Sequence, residues 1–164
     1  MFDEALLIKA GCSPDVVAHC RAVSKAALGF AERVSIPVDR ELIRLGGLFH
    51  DIGRARTQGI EHAIAGVEIG KLLGFPEPLL NIIERHIGAG ITAAEAERLG
   101  LPKKDYLPVT PEEKIVSYAD NLTKGAAAMP FVHAMERFQE ILGTDHEGIG
   151  LLLEQHREIQ GWMR

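Results

Sequence analysis

Apolar residues recur at intervals of three and four positions along most of the chain, with polar residues between them. The run that contains Leu79, Ile82 and Ile83 is one example. Such spacing gathers apolar side chains on one face of an α-helix. The alternation of β-branched and polar residues that is typical of a strand does not occur. The pattern therefore predicts an all-α protein, and the short connections favour a compact helical bundle.

Capping residues and glycines divide this pattern into helices. The Ser-Pro-Asp run of residues 13–15 is typical of a helix start. Thr92 and Thr110 each precede a glutamate by three positions, which is the spacing of a capping box. Glycines are expected to end the second, third and fourth helices at Gly53, Gly74 and Gly88. Helices are predicted over residues 14–34, 39–51, 61–73, 78–87, 110–124, 130–142 and 145–163, with a short polar helix that starts at residue 92.

Residues 88–110 form the least regular part of the chain and are rich in glycine, proline and charge. Two interpretations of this segment are open: a lid or substrate loop, and an ordinary surface connection. Lys103 and Lys104 within it are correspondingly either a guide for an anionic substrate or two exposed charges.

Composition favours one domain over residues 1–164, because 46% of the 164 residues are hydrophobic and can form a core without disulfide bonds. Cys12 and Cys20 are expected to be reduced thiols. The net charge of −5, from 18 basic and 23 acidic residues, argues against binding to a nucleic-acid polymer. An aromatic content of 5% also argues against a surface on which successive bases stack.

The chain is expected to be soluble and cytoplasmic, with no membrane partner. Its N-terminus, Met-Phe-Asp-Glu, lacks the basic segment and apolar run of a signal peptide, and no apolar stretch approaches the ~20 residues needed to cross a bilayer. Trp162 and its apolar neighbours are expected to be exposed near the C-terminus and are a candidate homodimer contact.

Several ionisable side chains are predicted to face the apolar interior. His86, for example, follows Leu79, Ile82 and Ile83 at helical spacing. One inward histidine is usually a satisfied core residue, but burying a lone carboxylate costs several kcal/mol. Four histidines and two aspartates from separate helices therefore favour a divalent cation, which takes both ligand types. The six residues are His19, His50, Asp51, His62, His86 and Asp120.

The remaining histidines are given other roles. His156 lies on an apolar stripe with Leu152 and Ile159 and is interpreted as a packed structural residue. His133 and His146 have charged neighbours and are expected to be solvated.

The run Gly-Leu-Phe-His-Asp-Ile-Gly-Arg at residues 47–54 resembles the HD-domain superfamily of metal-dependent phosphohydrolases, in its subgroup with an HDIG signature. An upstream histidine, His19, and a downstream aspartate, Asp120, are similar in order to the H…HD…D pattern of that superfamily. The resemblance covers residues 13–125, whereas the helices predicted over residues 130–163 carry no motif.

The resemblance implies a metal centre of one or two ions, with iron, manganese, cobalt, zinc and magnesium as candidates. His19, His50, Asp51 and Asp120 would hold the first ion. His62 and His86 would add the second, with Asp51 between the two. The implied enzyme is a phosphomonoesterase or phosphodiesterase that uses a metal-activated water on a nucleotide or another small phosphate ester.

Two further roles concern cations near the signature. Arg54 follows it directly and is expected either to act in catalysis and bind a substrate phosphate or to be a solvated charge. Lys124 and Arg56 are weaker candidates for substrate binding. The alternative function is a non-catalytic HD module that senses a nucleotide or a partner, but the retention of all four core ligands favours the enzyme.

Overall fold

The structure is a computed structural model that describes residues 2–164. Nearly all of its regular structure is helical, and the prediction of an all-α fold is confirmed. A 3₁₀ helix spans Ile52–Ala55, and a small antiparallel hairpin pairs β1 (Thr123–Lys124) with β2 (Ala127–Ala128). The α-helices of the described residues are α1 (Ala5–Ala10), α2 (Pro14–Arg33), α3 (Arg40–Phe49), α4 (His62–Leu72), α5 (Glu77–Glu84), α6 (Ala93–Arg98), α7 (Pro111–Asn121), α8 (Phe131–Leu142) and α9 (Glu147–Trp162).

The helix starts follow from local capping chemistry. Ser13 accepts a hydrogen bond from the backbone of Val16, and Asp39 accepts one from Leu42. Thr110 and Glu113 form the capping box that their spacing predicts. Thr92 likewise accepts a hydrogen bond from the backbone of Glu95, and the predicted starts of α2, α3, α6 and α7 are therefore confirmed.

Close packing of α2 against α3 brings together the predicted metal-ligand side chains that lie on α2 and directly after α3. A Cβ atom added at Gly47 would lie 2.5 Å from the Cα atom of Ser24, so no larger residue fits there without a shift. The two helices consequently approach at backbone distance, and α7 packs against both of them. The core between these helices includes Val23, Ile43 and Ile115, all fully buried.

Several predicted boundaries are wrong. Helix α3 ends at Phe49, before Gly53, which lies in the 3₁₀ helix instead. A Cβ atom at Gly53 would lie 1.8 Å from the carbonyl oxygen of His62, so this glycine serves a close contact with α4 rather than a helix end. Helix α5 ends at Glu84 and α7 at Asn121, because the chain turns there, and α1 was not predicted.

The segment of residues 88–110 is anchored by a small core of its own. Ile91 pairs with Tyr106 in an isolated antiparallel bridge, and both side chains are buried with Ala96 and Leu101. Lys103 and Lys104 form ion pairs with Glu97 and Glu84. These contacts favour a structural connection over a substrate loop.

The C-terminal part corrects two expectations. Trp162 is half-buried against the α2–α7 core, and its carbonyl oxygen accepts a hydrogen bond from Ser35, so it does not offer the exposed surface that was expected. His146 is half-buried rather than solvated, since it caps α9 and lies 3.0 Å from Glu95. His156 stacks on Phe131 with a centroid distance of 3.6 Å, as its structural interpretation requires. No helix within residues 2–164 is long and apolar enough to cross a membrane.

Candidate metal centre

The six predicted ligand side chains lie together although they come from five parts of the chain, and all of them except His50 line one cavity. His19 projects from α2 and Asp120 from α7, while His50 and Asp51 follow α3. The others lie at the start of α4 and after the end of α5. The cavity has a volume of about 370 Å³. Four of the six side chains, His50, Asp51, His62 and His86, are buried, and His19 and Asp120 are half-buried.

The distances divide the centre into two groups that share Asp51. In the first group, Asp120 Oδ1 lies 2.9 Å from His19 Nε2 and 3.3 Å from His50 Nε2. In the second, Asp51 Oδ1 lies 3.2 Å from His62 Nε2 and 3.1 Å from His86 Nε2. The other carboxylate oxygen of Asp51 faces the first group, 3.6 Å from His50 Nε2. The carboxylate of Asp51 therefore lies between the two sets of imidazoles.

Backbone carbonyl groups fix the orientation of each ring. A carbonyl oxygen only accepts hydrogen bonds, so the Nδ1 atom beside it carries the proton of a neutral imidazole. The Nε2 atoms are then lone-pair acceptors that point into the centre. The four Nδ1 contacts are His19 to Gly125 (2.6 Å), His50 to Gly47 (2.7 Å), His62 to Gly59 (2.8 Å) and His86 to Ile83 (2.7 Å).

When the rings are neutral, as metal ligands must be, this tautomer leaves the centre with acceptors and no protons to join them. His62 Nε2 and His86 Nε2 face one another at 3.1 Å, and His50 Nε2 is buried with no hydrogen-bond partner among residues 2–164. Unpaired buried acceptors beside carboxylates are costly. Divalent cations take such imidazoles and carboxylates as ligands, and the donor set therefore fits one or two of these ions.

The acid groups are held in their charged form. Burial raises the pKa of Asp51, but the neighbouring His50, His62 and His86 outweigh it and hold the pKa well below its usual value. Asp120 is affected in the same direction, by His50 and His19 against burial. Burial lowers the pKa of His50, yet the charges of Asp51 and Asp120 raise it to about 9. An ion that binds there displaces a proton from this imidazole.

Arg54 lies at the centre, whereas Lys124 does not. The Nε atom of Arg54 is 3.1 Å from Asp51 Oδ2, and its Nη1 atom donates to the carbonyl of Gln58 at 3.2 Å. Arg54 also lines the cavity. Lys124 is exposed on β1 and is not among the residues that line the cavity, because the chain leaves α7 three residues earlier than predicted. Arg56 pairs with Glu68 at the surface.

Sequence reasoning missed the contribution of α8 to this cavity. Arg137, Phe138 and Ile141 line it, together with Asn121 at the end of α7 and Thr123 of β1. The only signal in the sequence was the spacing of three residues between Phe138 and Ile141 and of four between Arg137 and Ile141. That spacing is equally typical of a core face.

Comparison with known proteins establishes the family. Residues 16–125 match the model of the HD domain family, and the chain therefore belongs to the HD domain family of metal-dependent phosphohydrolases. The chain is 49% identical to uncharacterized protein MJ0778 of Methanocaldococcus jannaschii, over 99% of both proteins. It is also 44% identical to a tRNA (cytidine(56)-2'-O)-methyltransferase of Picrophilus torridus, over 84% of this chain but 40% of that protein's length.

A solved structure agrees with the fold. The HD domain of the phosphodiesterase PgpH from L. monocytogenes superposes with a TM-score of 0.58 and 18% identity, over 98% of this chain and 99% of that one. A second structure of that domain contains cyclic-di-AMP. At this level of identity the likeness establishes the fold alone.

Proposed function

We propose that this chain is a metal-dependent phosphohydrolase that acts on a nucleotide or another small phosphate ester. The observation that carries the proposal is the convergence of four Nε2 acceptors on two carboxylates, with His50 Nε2 buried and unpartnered among the described residues. A centre of this kind has no use in a purely structural helical protein, because a packed apolar core would be less costly.

In this proposal the six ligands form the same two groups that the interatomic distances define. His19, His50, Asp51 and Asp120 would hold one ion, and His62 and His86 would hold a second together with Asp51, whose two carboxylate oxygens face the two groups of imidazoles. When bound, divalent ions lower the pKa of water and offset the charge that develops on a phosphoryl group. The backbone carbonyls keep each imidazole in the tautomer that the ions need.

Arg54 has two tasks in the proposed site. Its Nε atom fixes the orientation of the Asp51 carboxylate, because the two groups lie 3.1 Å apart. The rest of its guanidinium lines the cavity and can hold a phosphoryl oxygen while the scissile bond is attacked. No side-chain nucleophile is needed, because in this proposal water itself attacks the phosphoryl group.

A nucleotide is the favoured substrate class. The HD domain of PgpH, which has the same fold, has been solved in complex with cyclic-di-AMP, a nucleotide, and the present chain has a cavity of about 370 Å³ at its candidate metal centre. Small-molecule pockets have volumes of this order. The net charge of −5 makes a nucleic-acid polymer the less favourable partner.

A hydrolysis screen tests the proposal. Purified protein is assayed against nucleoside phosphates, cyclic dinucleotides and sugar phosphates with manganese, iron, cobalt, zinc and magnesium in turn. We expect metal-dependent release of phosphate or a nucleoside monophosphate. The Asp51→Asn variant should be inactive, whereas Asp145→Asn, at an exposed position on the connection before α9, should keep full activity. Absence of both bound metal and turnover would refute the proposal.

A second candidate function is a non-catalytic HD module that senses a nucleotide. One observation favours it: the Picrophilus torridus relative matches this chain over 40% of its own length, and its name describes a different reaction, methyl transfer. An HD unit joined to another enzyme is suited to regulation. A metal-loaded protein that binds nucleotides at micromolar concentration, yet hydrolyses none in the screen, would favour this candidate.

A further inference from the structure

A second cleft opens directly from the cavity of the metal centre. Its volume is about 440 Å³. The two spaces share six lining residues, so the cleft lies directly beside the metal centre. The shared residues are Arg54, His62, Ile87, Gly88, Phe138 and Ile141. We name this space the α8 cleft.

The walls of the α8 cleft are apolar on both sides. Phe138, Ile141 and Leu142 of α8 form one wall, at positions three and four residues apart. Ile60 and Ile87 lie on the other. Ile141 is 68% exposed and Leu142 38%, although both are large hydrophobic residues. Exposed apolar residues that gather at the mouth of a polar centre are typical of a ligand site.

The floor of the α8 cleft is held rigidly. Gly88 has a φ angle of +56°, and its carbonyl oxygen accepts hydrogen bonds from Ser117 (2.7 Å) and Asn121 (3.1 Å) of α7. A Cβ atom added at Gly88 would lie 3.8 Å from Phe138 Cε2, so the aromatic ring rests against this turn. The ring therefore has a fixed support next to the metal centre.

Arg137 precedes Phe138 and lines the cavity of the metal centre from the same helix. It is half-buried, yet among residues 2–164 its guanidinium has neither an ion pair nor a hydrogen bond. Arg54, by contrast, is partly occupied by Asp51 and Gln58. A half-buried guanidinium without a partner is suited to the oxygens of a phosphate group.

The chemistry of the α8 cleft selects one kind of occupant. Its apolar walls disfavour a bare sugar, and an aromatic ring such as Phe138 favours a flat ring that stacks on it. Gln58 adds a polar edge: its Nε2 atom donates to the carbonyl of Arg54 at 2.9 Å, which leaves Oε1 as an acceptor without a partner in the described chain. A nucleobase has both a flat face and amino groups at its edge.

From these features we infer that the α8 cleft binds the nucleobase of a nucleoside phosphate, while Arg137 contacts the phosphate at the metal centre. Phe138 and Ile141 would then determine substrate specificity. The inference rests on the proposed function, because it assumes that the phosphate lies at the six-residue centre. It goes further in naming the nucleoside as the substrate class and α8 as its binding surface.

Calorimetric binding to the manganese-loaded protein tests this inference without turnover. The probes are the non-hydrolysable phosphonate analogues of adenosine monophosphate and of ribose 5-phosphate. We expect the adenosine probe to bind at least about tenfold more tightly, which is the effect of stacking one base. Phe138→Ala should abolish this preference by weakening only the adenosine probe. Arg137→Gln should weaken both probes by a similar factor.

Matched variants separate a local effect from a folding defect. Val132→Ala alters an exposed apolar residue of α8 outside the cleft, and Arg157→Gln removes an exposed arginine of α9. Both should bind the two probes as the unaltered protein does. Ile141→Asn, a second change in the same wall, should reduce the preference as well. Metal content, measured by elemental analysis, should be equal in all variants.

The possible failures are distinguishable. If the protein binds metal and both phosphonates equally tightly, or if Phe138→Ala keeps the full preference for adenosine, the inference about the α8 cleft is overturned while the proposed function stands. If the protein binds neither metal nor phosphonate, both fail together.

Discussion

Residues 16–125, which match the HD family model, supply all six side chains of the candidate metal centre, whereas the hairpin of α8 and α9 supplies none of them. The hairpin nevertheless lines the same cavity through Arg137, Phe138 and Ile141. The first region is held by backbone carbonyls and close glycine contacts, and the second presents partly exposed side chains. The difference suggests that chemistry and specificity are carried by separate parts of the chain.

The physical reason for this division is the precision that each task requires. Metal ligands must lie within a few tenths of an ångström of their ideal positions, so rigid backbone contacts are favoured. A surface that stacks on a flat ring tolerates larger displacements. An exposed helix face such as that of α8 is sufficient for it.

The largest expected effect comes from removing the carboxylate that both groups of imidazoles share. Asp51→Ala should bind neither ion and lose activity by about 10³-fold, because several kcal/mol of transition-state stabilisation are lost with the metal. Elemental analysis and single-substrate kinetics provide the two measurements. A variant that kept two ions would contradict the position assigned to Asp51.

A smaller effect is expected when a ligand of the second group alone is removed. His86→Ala should reduce the metal content from two ions to one, and activity by roughly 10²-fold, since the first group remains complete. His156→Ala is the matched control, because this histidine packs on Phe131 away from the cavity and should leave the metal content unchanged. Equal metal content in the unaltered protein and His86→Ala would contradict the assignment of His86 as a ligand of the second ion.

The close backbone contact between α2 and α3 should contribute measurably to the free energy of unfolding. Gly47→Ala places a methyl group 2.5 Å from the Cα atom of Ser24 and should lower the free energy of unfolding by about 1–3 kcal/mol, the usual cost of overpacking. Gly29→Ala, on α2 with nothing within 4 Å, should instead raise it by about 0.5–1 kcal/mol, because alanine favours the helix. Denaturant unfolding measures both changes in the free energy of unfolding. Changes of the same sign and size in the two variants would contradict the packing described for Gly47.

Metal binding should stabilise the protein more at pH 8 than at pH 6. The pKa of His50 is raised to about 9, so below that pH an ion must displace its proton, and affinity rises by about tenfold per pH unit for one proton displaced. Over this range the added stabilisation is about 2.7 kcal/mol. Without metal the sign reverses, because a raised pKa contributes stability that is lost as pH rises from about 6.5 to 9. Thermal unfolding with and without manganese measures both trends.

The smallest effect is expected from a substitution on the exposed face of α8. Ile141→Asn should change the free energy of unfolding by less than about 0.5 kcal/mol and leave the metal content intact, because this side chain is 68% exposed. Ala134→Asn is the informative contrast, since Ala134 is fully buried on the same helix and its replacement should destabilise the protein strongly. Loss of metal from Ile141→Asn would break the division between the two regions.

The local features of the sequence determined the helical fold, the capped starts of α2, α3, α6 and α7, and the set of six residues at the centre, because these depend on periodicity, capping and motif order. Tertiary structure alone decided the rest. His86 lies beyond the end of α5 and faces inward through a turn, so the helical spacing that predicted its position was not the reason for it. Gly53 is needed because it lies against the carbonyl oxygen of His62, and not because a helix ends there. Lys124 lies outside the site because the chain forms the β1–β2 hairpin after α7. The role of α8 depends on contacts between residues far apart in the chain, which no local pattern encodes.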